Sequence, residues 1–138
     1  MVKRRPDQAE VFEQNFNLLA QELRELDTEL HSLLKDIDAP LLASHPVYQY
    51  LARAYGLDLY SVTWEPDKMP SDEEWSALQA LLNKHPARVM LWEDSPIPET
   101  ARRLQTLGID VVVFSPAGNR PEAGDFMTVM QENLLRVA

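Results

Sequence analysis

The chain has 138 residues, 45% of them hydrophobic, with 22 Asp and Glu against 13 Lys and Arg. That length supports one domain with a real core. The net charge of −9 argues against nucleic acid as a partner, because phosphates are repelled without a concentrated basic patch. The absence of cysteine excludes thiolate metal sites, disulfides and cysteine catalysis.

At the N-terminus, Lys3-Arg4-Arg5 reads as a solvated tail. No apolar run approaches the ~20 residues of a membrane span. A signal-peptide apolar core is also missing, so the sequence as given predicts neither membrane insertion nor export. Residues 7–37 then predict one long helix, with Asp7 and Glu10 spaced as a capping box. Phe12, Phe16, Leu19, Leu23, Leu26, Leu30, Leu33 and Ile37 recur in steps alternating four and three, a heptad-like seam. Leu18 and Leu34 widen that stripe, which favours packing along a domain over a strict two-chain coiled coil.

After Ile37 short strands alternate with helices. The strands are expected at 40–44, 58–63, 88–92 and 110–114, and the helices at 47–55, 71–83, 98–107 and 122–137. Unbroken apolar runs such as "VVVF" suit a parallel sheet buried on both faces. Gly56 and Gly108 each end a helix just before a strand, as left-handed caps do. Ser71 with Glu74 forms a second capping box after the "WEPDKMPS" loop, and Trp64 and Trp75 beside that loop read as packing residues. The expected fold is α/β, in three layers. A four-stranded parallel sheet of order 2-1-3-4 carries helices on both faces and a long N-terminal helix. Residues 1–138 read as a single domain, divided into the helix 7–37 and an α/β lobe 38–138.

Such sheets bind ligands beyond the carboxyl ends of their strands. That rule selects Ser44, His45, Glu65, Glu93, Asp94 and Ser115. His45 with a carboxylate on an adjacent strand can hold a cation, or act as a base with an orienting partner. The competing roles are caps: Ser44 for the helix near Val47, and Asp94 or Ser95 for the helix near Pro98. His31, within the long helix, and His85, at the end of another, read as structural. With four glycines there is no GxGxxG, no GxxxxGK[ST] and no Gly-x-Ser-x-Gly elbow. Enzymatic activity therefore has little to rest on.

Two segments carry a resemblance. "DQAEVFEQNFNLLAQELRELDTEL" contains Phe12-Glu13-Gln14-Asn15, and "LLASHPVYQYLARAYGLDL" contains Ser44, His45, Tyr48, Tyr50, Leu51, Ala52, Tyr55, Gly56 and Leu57 at fixed spacing. Together they resemble the second, C-terminal lobe of the zinc and manganese solute-binding proteins of ABC transporters. "VMLWEDSPIPETARRLQTLGIDVVVFSPAG" and "DFMTVMQENLLRV" extend the resemblance over nearly the whole chain.

The resemblance implies a metal-binding lobe, not an enzyme. His45 would be a metal ligand, with Glu93 or Asp94 assisting, and Ser115 would stand where the family has a carboxylate. Zinc or manganese would belong to the parent family, with no tight binding by this chain alone, since a hydroxyl is a poor ligand for either ion. The implied partners are an ABC permease and either a missing first lobe or a second copy. The implied location is periplasmic or cell-surface, or cytoplasmic if the chain is a complete natural protein without an export signal. A homodimer would share Phe12, Phe16, Leu19 and Leu23. The alternatives are a stand-alone, metal-free interaction domain of the same fold and a flavodoxin-like enzyme or regulatory domain using His45, Glu93 and Asp94.

Overall fold

A computed structural model describes residues 5–121 and 123–137. After a single 3-10 turn, Pro6–Gln8, the elements are α1 (Ala9–Leu34), β1 (Leu41–Ala43), α2 (Gln49–Tyr55), β2 (Leu59–Ser61), α3 (Asp72–Leu82), β3 (Val89–Trp92), α4 (Pro98–Thr106), β4 (Asp110–Val113) and α5 (Phe126–Val137). The four strands form one parallel sheet in the order β2-β1-β3-β4, as the alternating pattern predicts.

Side-chain alternation along the strands separates two cores. Leu41, Ala43, Leu91 and Phe114 face one side, where Leu26, Leu30 and Leu34 of α1, Leu51 of α2 and Met130 and Leu134 of α5 cover them. Leu42, Met90 and Trp92 face the other side, under Trp75 and Leu78 of α3 and Leu104 of α4. The second core contains every tryptophan of the chain. The Trp64 ring centroid lies 4.7 Å from Trp75 and 6.4 Å from Trp92, and Arg103 stacks over Trp75 at 4.4 Å.

Several local expectations are corrected. Asp7 pairs with Arg5 at 3.1 Å instead of capping α1, whose N-cap is Gln8 with no side-chain bond. The Pro6 turn displaces the start by two residues, because proline favours the first position of a helical turn. The buried stripe also departs from the heptad seam: α1 buries Leu26, Leu30 and Leu34 while Leu33 is exposed, because the sheet and α5 cover a face rotated toward Leu34. Ile37 lies beyond the helix. "VVVF" is not buried on both faces, for β4 is an edge strand whose valines are only half-buried.

The Ser71–Glu74 capping box forms, with the Ser71 side chain accepting from Glu74 N–H at 3.2 Å and Glu74 accepting from Ser71 N–H at 2.7 Å. Gly56 and Gly108 adopt φ of 70° and 75°, the left-handed conformation their positions implied. The last helix begins at Phe126, capped by Asp125, whose Oδ1 accepts from Thr128 N–H at 3.0 Å. The expected start at Glu122, like Lys3 and Arg4 of the basic cluster, lies outside the described residues.

Candidate functional site

The chain runs outward from β1 to β2, then returns to place β3 on the other side of β1. That reversal lies between β1 and β3, and it opens a crevice at their carboxyl ends. Ser44 and His45 follow β1, and Glu93 and Asp94 follow β3. Ser44 is buried inside the sheet's extension: its N–H donates to Leu91 O at 2.8 Å, and its carbonyl accepts from Trp64 N–H at 2.7 Å. Ser44 does not cap the following helix: α2 has Tyr48 at its N-cap with no side-chain bond.

His45 is the first residue clear of the sheet, and it meets two carboxylates. Its Nδ1 lies 3.5 Å from Glu93 Oε1, and its Nε2 lies 4.0 Å from Glu65 Oε1. Its side chain is about one third exposed, at 35%, as is that of Glu93, so the group is partly screened from water while open on one side. Asp94 does not join it. Its Oδ1 accepts from Ser95 N–H at 2.6 Å, and Ile97 is the N-cap of α4 without a side-chain bond, so neither Asp94 nor Ser95 caps that helix. Among the described residues, no three His, Asp or Glu side chains gather closely enough to hold a metal ion.

Ser115 lies on the far wall of the same opening. A cleft of about 1070 Å³ runs from Glu65, Glu93 and Asp94 past Ser115 and along the exposed edge of β4 to Glu132 and Arg136 of α5. The wall at Ser115 is braced from behind. Tyr48 hydroxyl donates to Phe114 O at 2.7 Å, and burial, seconded by the charge of Glu93, pushes that hydroxyl far above the ordinary phenol range. Tyr48 thus stays protonated as a donor. Asn133 is wholly buried on α5 and bonds both backbone groups of Ser115, at 2.9 Å and 2.8 Å. Sequence reasoning missed Asn133. Its only signal was one Asn between apolar residues on the inner face of the last helix.

The other two histidines are placed elsewhere. His85 closes the opposite end of the sheet, with Nε2 2.8 Å from Leu41 O and Nδ1 3.9 Å from Asp58 Oδ2. His31 packs beside the Tyr55 ring at 6.4 Å. Of the seam residues, Phe16, Leu19 and Leu23 are exposed at 69%, 49% and 41%, and Phe12 is half-buried.

Residues 1–138 match a family described as the periplasmic component A of a zinc-uptake complex. The fold is similar to the Zn(II)-bound domain of AdcA from Streptococcus pneumoniae, at 23% identity and a TM-score of 0.84, over 97% of this chain and 53% of that one. It is similar to the metal-dependent lipoprotein YcdH of Bacillus subtilis, at 25% identity and a TM-score of 0.83, over 96% of this chain and 53% of that one. The laminin-binding protein Lbp of Streptococcus pyogenes superposes at 19% identity and a TM-score of 0.73, over 99% of this chain and 57% of that one. The chain therefore spans about half the length of these structures. No curated protein matches it.

Proposed function

Because the chain belongs to the zinc-uptake component A family, we propose that it is the second lobe of a metal-binding solute receptor. Its family is one of transport components and not of enzymes. In this reading the ion is cargo, held between this lobe and another and passed to an ABC permease outside the cytoplasmic membrane. Zinc is the cargo the family description favours, with manganese the competitor.

One observation carries the reading: His45 stands at the switch point of the sheet, between Glu93 and Glu65, two carboxylates that line the cleft. Imidazole nitrogen is a good ligand for zinc, and carboxylate oxygen is the next best available here. Asp94 would have to leave its bond to Ser95 to assist, and Ser115 offers only a hydroxyl. With one histidine and loosely placed carboxylates, the lobe alone holds zinc weakly. Further ligands must come from elsewhere.

Calorimetric titration of Zn²⁺ into the chain should give a dissociation constant weaker than about 1 µM, or roughly −8 kcal/mol. His45→Ala should abolish that binding, and Glu93→Gln should weaken it. Heat unchanged by His45→Ala would overturn the assignment.

A second reading is supported by the bare N-terminal half of α1: a metal-free interaction domain that pairs through Phe12, Phe16, Leu19 and Leu23. It predicts self-association with no zinc binding at all.

A further inference from the structure

The end of β4 is held by more than strand pairing requires. Asp110 N–H donates to Arg88 O and Phe114 N–H to Trp92 O, each at 2.8 Å, so these residues face β3. Alternation sends the backbone groups of Val111, Val113 and Ser115 to the free side of the sheet. At Ser115 that side is filled. Asn133 Oδ1 accepts from Ser115 N–H at 2.9 Å, and Asn133 Nδ2 donates to Ser115 O at 2.8 Å. One carboxamide thus makes both bonds that a residue of an antiparallel neighbour would make. Asn133 is 0% exposed, so these bonds face little competition from water.

Two further features act on the stretch from Phe114 to Ala117. Tyr48 hydroxyl donates to Phe114 O at 2.7 Å. Ala117 is the one non-glycine residue with positive φ among the described residues, at 51°, and its N–H points to Ser115 Oγ at 3.5 Å. A left-handed alanine persists only where its surroundings impose it.

We propose that Asn133 is the positioning residue of the cleft: as a one-residue surrogate strand, it fixes position 115 on the wall before any ligand arrives. This rests on the metal-lobe reading insofar as position 115 faces the ligand. Since Asn133 meets residue 115 through backbone atoms alone, it holds whatever side chain stands there, hydroxyl or carboxylate, in the same place.

The test has a geometric arm and a ligand arm, both on the full chain. In Asn133→Leu, hydrogen exchange at the Ser115 amide should rise about tenfold more than at Met90 and Leu91, which report global opening. Asn133→Asp, whose carboxyl is kept protonated by burial and by the facing Ser115 carbonyl, still accepts from Ser115 N–H and donates to Ser115 O; it should retain most of the protection, which also covers the case in which the leucine variant does not fold. Equal acceleration at all three amides, or loss of Ser115 protection in Asn133→Asp as large as in Asn133→Leu, would overturn the proposal. In the ligand arm, Zn²⁺ is titrated into Ser115→Asp with and without Asn133→Leu. A drop of about tenfold in affinity at unchanged core exchange supports positioning, and equal affinities overturn it. If no variant binds zinc, the metal-lobe reading falls, and Asn133 is judged on the exchange data alone.

Discussion

The site is decided by what each side chain meets just past the end of its strand. His45 escapes the sheet because Ser44 is still paired to Leu91 and Trp64. This leaves His45 between Glu65 and Glu93, which suits it to a cation. Position 115 is the one where a single change is most informative. Ser115→Asp should tighten Zn²⁺ binding by about tenfold or more, because a carboxylate replaces a hydroxyl on an already braced wall. Titration calorimetry reads this directly, and an unchanged affinity would show that position 115 does not face the ion. A second prediction concerns Tyr55. Burial first, then its 2.8 Å hydrogen bond to Asp27 and the charge of that carboxylate, push its hydroxyl up to about 12. A phenol in the unfolded chain ionises near ~10. The folded state therefore gains stability that is fully present below pH ~10 and is lost as pH rises through about 12. Tyr55→Phe should flatten that alkaline limb in denaturant titrations. His45 and its strand-end carboxylates were legible from the switch-point rule, whereas Asn133 was not. Its role depends on α5 meeting β4 across 18 residues of sequence, and no local spacing encodes that.

The long helix is two elements in one. Its second half buries Leu26, Leu30 and Leu34 against the sheet and α5. Its N-terminal stretch, as far as Leu23, leaves Val11, Phe16, Leu18, Leu19 and Leu23 exposed. The sequence showed one continuous stripe over both halves, since periodicity reveals which face is apolar but not what lies opposite it. Strand order was more readable. Four short apolar runs separated by helices admit few arrangements once connections are short and crossovers right-handed. Unequal support predicts unequal sensitivity along α1. Leu30→Ala should cost about 2–4 kcal/mol in denaturant unfolding, while Leu19→Ala should stay within about 0.5 kcal/mol. Comparable losses at both positions would mean that the first half is covered. At α3, Ser71→Ala removes the acceptor for Glu74 N–H and should cost about 1 kcal/mol.

At the scale of the molecule, the cleft and the bare half of α1 describe a body with uncovered surfaces. Phe16, Leu19 and Leu23 lie on or beside one strip of helix, and exposed apolar strips of this kind mark contact sites. The solved structures it is similar to are about twice as long, so a further lobe is the natural cover in the receptor reading. Alone, the chain should self-associate at high micromolar concentration, and sedimentation should register a species heavier than its 15.8 kDa. Phe16→Glu combined with Leu19→Glu should return it to a monomer, as buried charges at a seam are costly. A wild-type monomer at that concentration would exclude pairing through α1.

The tryptophan cluster gives this protein an optical property. Trp64, Trp75 and Trp92 are the whole indole complement of the chain, and they share one core. Trp64 immediately precedes Glu65, and Trp92 immediately precedes Glu93, the two carboxylates that face His45. All tryptophan emission therefore originates in this one core, two of its three sources adjoin those carboxylates, and none of it comes from α1, α2 or α5. An ion drawing those carboxylates toward His45 must shift the backbone or field around two of the three emitters. Intrinsic fluorescence should then change in step with calorimetric heat as zinc is added, and it should stay silent when contacts form only along α1. Ion capture and helix docking thus become separable by colour, without a label on the chain.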